Sequence, residues 1–210
     1  IRDSNRLMLL SALRESNYPV VDLGISSDEH ATLTSHIMEG LDKADVLITS
    51  GGVSMGELDL IKPLLEKLGT VHFGRVLMKP GKPLTFASLS HQGKNRLVFG
   101  LPGNPVSSLV TFTLFVVPSL RKIYGVENPH HKVIQAKTTA PIKMDPTRPE
   151  YHRATVHWDL EQQCYVAVST GRQISSRLLS MVSANVFLLI EQGSGTIGTG
   201  SIVSALVVGQ

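Results

Sequence analysis

Residues 45–52, which read Asp45-Val46-Leu47-Ile48-Thr49-Ser50-Gly51-Gly52, contain the pattern that most strongly indicates the fold. The run is apolar and β-branched, and a serine and two glycines end it abruptly. Such a run is typical of a strand buried on both faces, as in the sheet of an α/β protein. We therefore interpret 45–49 as a central strand and the loop after it as a candidate binding segment.

Helix and strand signals alternate on both sides of this strand, as they do in α/β proteins. The predicted elements are a short strand at Val20–Leu23, a helix around 33–41, a helix at about 58–68 ended by Gly69, an extended segment at 71–78, a hairpin formed by 85–89 and 96–99, and a long apolar helix at 105–124. This rhythm predicts a doubly wound, mostly parallel α/β sheet over residues 1–126.

The hydrophobic pattern of the sequence changes after Gly125. Beyond a polar linker at about 127–131, short extended runs are separated by glycine and serine, with little helical period. We expect residues 127–210 to form a small β-barrel or sandwich, in which the glycine-rich segment 193–200 is the tip of a hairpin.

The amino-acid composition argues against nucleic acid binding and against a membrane protein. The 210 residues are 42% hydrophobic and 18% charged, as in a globular protein, and the net charge of +3 comes from scattered basic residues, which argues against nucleic acid binding. The apolar stretch 106–120 is too short and too polar to predict a membrane span. A single cysteine, Cys164, interpreted as a packed thiol, favours a reducing, cytoplasmic location. Because Ile1 stands just before a predicted helix, we expect further residues upstream.

Four loops are predicted to share one edge of the sheet. In an open parallel sheet the carboxyl ends of the strands face one edge, where ligands bind. Glycine, hydroxyl, lysine and acidic side chains dominate the segments that follow the predicted strands, at 24–28, 50–59, 79–83 and 100–105.

The loop after the central strand has the chemistry of a phosphate cradle. Gly51, Gly52 and Gly56 allow backbone N–H groups to approach an anion closely, and Ser50 and Ser54 add hydroxyl donors. The spacing matches neither the phosphate-binding loop nor the dinucleotide fingerprint. A purely structural role for these glycines therefore stays open.

Charged residues of both signs accompany this loop. Lys79 and Lys82 flank a Pro-Gly turn and form a candidate anion site, while Asp28 and Asp59 could bind a magnesium ion that bridges an anionic substrate. Asp28 could instead cap a helix, and Asp59 could merely complement a helix dipole. The eight histidines lack the spacing of a metal site.

Three strings resemble the MoeA/gephyrin E-domain family of molybdopterin molybdotransferases. They are 49–57 (Thr-Ser-Gly-Gly-Val-Ser-Met-Gly-Glu), 78–83 (Met-Lys-Pro-Gly-Lys-Pro) and 100–107 (Gly-Leu-Pro-Gly-Asn-Pro-Val-Ser). The stretches 148–153 and 169–177 resemble the eukaryotic members. The resemblance covers essentially the whole chain and implies a C-terminal fragment of such a protein.

The resemblance implies a reaction and a set of site residues. Molybdate is inserted into adenylylated molybdopterin with the help of Mg²⁺, and AMP is released. The implied catalytic residues are Asp28, Asp59, Lys79 and Lys82, of which Asp28 and Asp59 also bind the metal. The implied binding residues are Ser50, Gly51, Gly52, Ser54, Gly56, Pro102, Gly103, Asn104, Arg153 and Ser175. Ser27 stands where the family commonly has arginine, which predicts weaker anion binding by that loop.

The resemblance also implies partners. Family members carry upstream domains that contribute catalytic acids and a homodimer interface, so the activity of these residues alone stays open. A MogA-type domain, fused or separate, is a further expected partner. The alternative function is a gephyrin-like scaffold that anchors receptor loops or cytoskeletal partners.

Overall fold

The computed structural model describes residues 3–52 and 60–209. The chain forms two compact units: one comprises residues up to 76 together with 81–112, and the other comprises 77–80 together with 113–210. Of the predicted site residues, Ser54, Gly56 and Asp59 lie outside the described residues. The predicted domain boundary between residues 126 and 127 stays a prediction.

The first unit is built on a four-stranded sheet with the order β1-β4-β3-β2. Its strands are β1 (Val46–Ser50), β2 (Thr70–Phe73), β3 (Thr85–His91) and β4 (Lys94–Leu101). β1 pairs with β4 in parallel, whereas β3 pairs with both β4 and β2 in the antiparallel sense. The α/β class and the hairpin are confirmed, and the described sheet is mixed because that hairpin joins it.

The predicted strand at Val20–Leu23 is not a strand in the structure. The segment has no regular secondary structure, and within the described part of the chain it pairs with no strand. Val21 is half exposed, and the Asp22 carboxylate accepts hydrogen bonds from Arg6 Nε and Nη2 at 2.8 and 2.7 Å. Only Leu23 packs against the core. A surface position explains the error, because a β-branched pair alone does not bury a strand.

This unit has three helices before β2. They are α1 (Asn5–Glu15), α2 (His30–Lys43) and α3 (Ile61–Leu68). Of these, α2 and α3 contribute apolar side chains to the main core of the unit. The main core cluster comprises Leu33, Ile37, Leu41, Leu47, Ile61, Leu64, Leu65, Ala87, Leu89 and Val98. Each fully buried aliphatic side chain of this kind contributes about 1.5–3 kcal/mol.

The long apolar helix consists of α4 (Pro105–Thr111), a π-helical turn (Phe112–Val116) and α5 (Val117–Ile123). By length and composition alone, Pro105–Ile123 could cross a membrane, with a mean hydropathy of 1.4. More than half of that window (56%) is nevertheless buried inside the protein. This burial is what a packed core helix shows.

The second unit contains a closed barrel with the strand order β11-β5-β8-β7-β9. The strands are β5 (Val133–Thr138), β7 (Glu150–Asp159), β8 (Cys164–Ser169), β9 (Val186–Ile190) and β11 (Ile202–Val207). β11 pairs with both β5 and β9, which closes the barrel. The predicted β domain is therefore a barrel, and a short helix, α6 (Leu179–Val182), lies between β8 and β9.

The glycine-rich segment 193–200 lies in the connection between β9 and β11, which pair antiparallel, so the predicted hairpin is confirmed. The segment contains β10 (Thr196–Ile197), which pairs with β6 (Ile142–Lys143) from a distant part of the chain. Local glycine content alone could not reveal this pairing, because the partner strand lies more than 50 residues upstream.

Gly69, the residue after α3, has no room for a side chain. A substitution there is therefore expected to lower stability. The Gly69 φ of −172° is ordinary extended backbone, but a Cβ would lie 2.5 Å from Ser88 O and 2.9 Å from Leu89 Cγ. We expect Gly69→Ala to lower the free energy of unfolding by about 1–3 kcal/mol, measured by urea denaturation.

The control for this variant is Gly198→Ala, where the nearest heavy atom to a new Cβ is Ser201 Oγ at 3.9 Å. A change within about 0.5 kcal/mol is expected there. Equal changes in the two variants would show that the close approach at Gly69 is not what matters.

Candidate functional site

Three chain segments of the first unit meet at one edge of its sheet. Since β1 and β4 are parallel and Ser50 lies opposite Leu101, the loops that follow them begin side by side. Gly51 N donates to Leu101 O at 3.0 Å. β3 is antiparallel to β4, with Thr85 opposite Gly100, so β3 begins where β1 and β4 end. The residues just before β3, including Lys82, therefore lie at the same edge.

Asn5 ties two of these loops together. This first residue of α1 is only 7% exposed, and its Nδ2 donates to Ser50 Oγ at 2.7 Å and to Gly103 O at 2.8 Å. Its Oδ1 is buried without a hydrogen-bond partner among the described residues. Asn5 was not among the site residues predicted from the sequence; the signal that could have found it is its four-residue spacing from Leu9, which puts a polar side chain on the buried side of α1.

The two glycines after β1 adopt a backbone conformation that other residues rarely take. Gly51 and Gly52 have φ values of +87° and +70°. Gly52 O accepts hydrogen bonds from Leu60 N at 3.1 Å and Ile61 N at 3.2 Å, which anchors the start of α3. Gly51 and Gly52 therefore have a structural role, as the alternative interpretation proposed. This role is compatible with binding of an anion by the same loop.

The loop after β4 lies against the loop after β1. A Cβ on Gly103 would be 3.7 Å from Gly51 Cα, so the two backbones approach each other closely. Pro102 is buried, while Gly103 and Asn104 are exposed. Asn104 O accepts the Ser108 N–H at 2.8 Å, which starts α4 at this edge. Ser50, Gly51, Gly52, Pro102, Gly103 and Asn104 are thus brought together as predicted.

Asp28 is an exposed residue two positions before α2, the helix that a short turn joins to the start of β1. The N-cap position belongs to Glu29, and no side chain caps the helix. Capping by Asp28 is therefore not seen, and its carboxylate has no partner among the described residues.

Lys82 and Lys79 have different surroundings. Lys82 is partly exposed and forms no ion pair with any described residue. Lys79, in the second unit, has its Nζ 2.9 Å from Glu150 Oε2 and 3.2 Å from Asp145 Oδ2. Its backbone also bonds to the start of β7, through Lys79 N to Pro149 O at 2.9 Å and Tyr151 N to Lys79 O at 2.8 Å.

The pKa shifts in this cluster keep all three groups charged. Burial lowers the pKa of Lys79, but the hydrogen bonds and charges of Glu150 and Asp145 outweigh it, so the net shift is upward. Burial raises the pKa of Glu150, but hydrogen bonds from His152 and Lys79 bring it below its usual value. Hydrogen bonds from Thr147 and then from Lys79 hold the pKa of Asp145 well below its usual range.

Arg153 and Ser175 lie close together in the second unit. Arg153 is completely buried; its Nε donates to Ser180 Oγ at 3.2 Å and its Nη2 to Ile174 O at 3.5 Å. Its Nη1 is buried with no partner among the described residues. Burial lowers the pKa of this guanidinium, and the charge of Glu150 opposes the shift. Ser175, next to Ile174, is partly exposed.

Family models match nearly the whole chain. One, described as a probable molybdopterin binding domain, matches residues 1–122, and one for the MoeA C-terminal region (domain IV) matches residues 135–208. The chain belongs to the MoeA family. The edge built by β1, β4 and β3 lies in the part that matches the molybdopterin-binding model.

Individual proteins with similar sequences or structures support the same family assignment. Gephyrin from Dictyostelium discoideum is 46% identical over 100% of this chain and 33% of its own length. Molybdopterin molybdenumtransferase from Haemophilus influenzae is 36% identical over 97% of this chain and 50% of its own. The crystal structure of a molybdopterin biosynthesis MoeA protein from Pyrococcus horikoshii covers all of this chain with a TM-score of 0.77 and 28% identity. The chain spans half or less of the length of these relatives.

The Asn5 bridge predicts a loss of stability in this MoeA-family chain. In Asn5→Ala, Gly103 O loses its side-chain donor, and the Ser50 hydroxyl loses its hydrogen bond from Asn5 Nδ2. We expect the free energy of unfolding to fall by about 1–3 kcal/mol, measured by urea denaturation. Asn95→Ala, at an exposed hairpin position, should change it by no more than about 0.5 kcal/mol. Indistinguishable midpoints for the two variants would contradict the bridging role.

The Lys79–Glu150 pair predicts a pH-dependent stability. Glu150 has a lowered pKa, so its contribution is present above its unfolded value of 4.5 and is lost as pH falls through the folded value. Lys79 has a raised pKa, so its contribution is present below 10.5 and is lost as pH rises through the folded value. Lys79→Met should therefore cost about 3 kcal/mol at pH 7, and less as the pH falls below 4.5.

Urea denaturation at several pH values measures this difference. The control is Lys132→Met, because Lys132 is exposed and has no ion pair with a described residue. A cost for Lys79→Met that stays constant down to pH 3 would mean that Glu150 and Asp145 do not contribute through their charges.

Proposed function

We propose that this chain acts in molybdenum cofactor biosynthesis, as the part of a molybdotransferase that inserts molybdate into adenylylated molybdopterin and releases AMP. The observation that carries the proposal is the meeting of three segments at one sheet edge, after β1, after β4 and before β3. This edge lies within the residues that match the molybdopterin-binding model. The name of the Haemophilus relative, molybdopterin molybdenumtransferase, supports the reaction.

The chemistry of the edge suits a substrate whose phosphates are anionic. The glycine backbone after β1 lets N–H groups approach phosphate oxygens, and Ser50 can donate its hydroxyl hydrogen while it accepts from Asn5. Lys82 adds a positive charge that no described carboxylate neutralises. We propose that these groups, with Pro102, Gly103 and Asn104, bind the nucleotide, and that Ser54 and Gly56 complete the cradle.

The acids would hold Mg²⁺. Magnesium is typically bound by one or two carboxylates plus substrate oxygens, and the exposed Asp28 carboxylate, which has no protein partner among the described residues, fits that role. Asp59 would supply the second carboxylate. Bound magnesium would neutralise charge on the phosphates of the substrate.

Lysine and arginine side chains would stabilise the charge that develops during transfer. Negative charge builds on the departing AMP phosphate and on the attacking molybdate, and fixed donors are most effective against such charge. Lys82 and Lys79 are proposed for this task. Arg153 and Ser175 are proposed as further hydrogen-bond donors to the anion. The Arg153 Nη1 atom, which has no partner among the described residues, supports this role. Because Arg153 is completely buried, we propose that the segment around residues 174–180 opens before the anion binds.

The wider assembly is a matter of prediction. Homodimer formation by the full-length protein, a MogA-type domain and a receptor-anchoring scaffold role are all expectations from the family resemblance. The relative named gephyrin is similar along the whole of this chain. The enzyme remains the proposed function, because the acids and lysines predicted in this chain, Asp28, Asp59, Lys79 and Lys82, are intact.

Loss of the acids predicts a defect in chemistry rather than in folding. In the full-length gene product, Asp59→Asn and Asp28→Asn should each slow AMP release about 100-fold or more, equivalent to about 2.7 kcal/mol in the barrier. AMP release is measured with adenylylated molybdopterin, molybdate and Mg²⁺, and melting is followed in parallel. Loss of a helix-dipole contact alone would cost only about 0.3–1 kcal/mol of stability and leave the rate nearly intact.

Glu161→Gln is the matched control, because this exposed carboxylate on the barrel has no side-chain partner among the described residues. Its rate should equal that of the unmodified protein. Near-normal AMP release by Asp59→Asn and Asp28→Asn would leave these acids with structural roles only.

A further inference from the structure

A chain of four polar side chains runs through the second unit and ends at Lys79. Ser169 Oγ lies 2.7 Å from His152 Nε2, and His152 Nδ1 lies 3.1 Å from Glu150 Oε1. The other oxygen of Glu150, Oε2, lies 2.9 Å from Lys79 Nζ. Glu150 and His152 are only 4% and 8% exposed. Of these four residues, only Lys79 was predicted from the sequence to be a site residue.

We propose that His152 is a positioning residue, which holds the Glu150 carboxylate so that Lys79 Nζ keeps one N–H directed at the anionic substrate. The inference rests on the proposed function, since it assigns to Lys79 the anion contact described there. Its structural half, the control of Lys79 by His152, can be tested without that reaction.

Counting hydrogens on Lys79 supports this role. An ammonium group has three donors, and the described residues offer two acceptors, Glu150 Oε2 and Asp145 Oδ2. One N–H is left without a protein acceptor among the described residues, and the side chain is 30% exposed. A lysine held at two points loses little freedom when it binds a third group, and such preorganised donors are effective in catalysis.

The hydrogen bonds of Ser169 determine which nitrogen of His152 carries the proton. Ser169 Oγ accepts the Gly171 N–H at 3.2 Å, and its own hydrogen can reach His152 Nε2 at 2.7 Å more readily than Gly171 O at 3.5 Å. His152 Nε2 then acts as acceptor, and the ring proton resides on Nδ1. Nδ1 donates it to Glu150, which fixes the carboxylate that Lys79 contacts.

The order serine, histidine, carboxylate also occurs in hydrolases with a nucleophilic serine, but two contacts argue against that chemistry here. Glu150 already shares its charge with Lys79, so it stabilises an imidazolium less well. Ser169 Oγ also accepts a backbone hydrogen bond from Gly171, which weakens it as a nucleophile. Both contacts suit a network that holds Lys79.

Two substitutions of His152 separate its two hydrogen bonds. In His152→Asn the amide nitrogen stands where Nδ1 stands and can still donate to Glu150. In His152→Gln the amide group reaches the position of Nε2 and keeps only the contact with Ser169. In the full-length gene product, we expect His152→Gln to lower kcat about 10-fold or more with little change in KM, and His152→Asn to stay within about threefold.

The second readout is the titration of Lys79, followed by NMR of the ¹³Cε-labelled lysine and assigned with Lys79→Met. Glu150 raises the pKa of Lys79, so this pKa should fall in His152→Gln and stay near its original value in His152→Asn. His157→Gln, an exposed histidine on the same strand, should alter neither kcat nor the titration.

Equal behaviour of the Asn and Gln variants, in both rate and Lys79 titration, would overturn the proposal. If the unmodified protein released no AMP, the proposed function would fail, whereas the titration would still decide whether His152 controls Lys79. If both His152 variants failed to fold, Ser169→Ala would take their place. It releases the constraint on the ring proton and should lower the pKa of Lys79, and an unchanged titration would again overturn the proposal.

Discussion

The parallel pairing of β1 with β4 is the constraint on which the first unit depends. It places Ser50 opposite Leu101, so that the loops 51–52 and 102–104 start next to each other although they are 50 residues apart in the chain. The antiparallel β3 then starts at the same edge and brings Lys82 with it. A buried asparagine, Asn5, joins the two loops by a pair of hydrogen bonds, which couples the position of α1 to the site.

The two lysines of the Pro-Gly turn illustrate how tertiary contacts distinguish identical side chains. Lys79 is held by Glu150 and Asp145 through a network of buried or half-buried polar groups, whereas Lys82 has no described counter-charge. A held lysine offers a donor in a fixed direction, and an unpaired lysine offers more of its charge.

Several polar atoms in the described residues are buried without a partner, among them Asn5 Oδ1 and Arg153 Nη1. Each such atom costs about 1–3 kcal/mol unless a water or ligand satisfies it. Both belong to residues of the proposed sites, whereas others, such as His36 Nδ1 and Arg96 Nε, lie outside them.

The sequence by itself determined the elements whose signals are local. Local patterns predicted the buried strand at 45–49, the hairpin that became β3 and β4, the helix around 33–41 and the β character of 127–210, because apolar spacing is set by the elements themselves. The motifs at 49–52, 78–83 and 100–107 likewise predicted the family that the comparisons show.

Only the tertiary structure decided the features that depend on distant residues. Val20–Leu23 was predicted to be a strand but pairs with no strand among the described residues, and β10, within segment 193–200, pairs with β6, more than 50 residues away. The bridging role of Asn5 includes a hydrogen bond to Gly103 O, 98 residues away, and the network that ends at Lys79 includes the contact of His152 with Ser169, 17 residues away. Local pattern carries no information about such contacts, because burial and hydrogen-bond partners are set by how the elements pack.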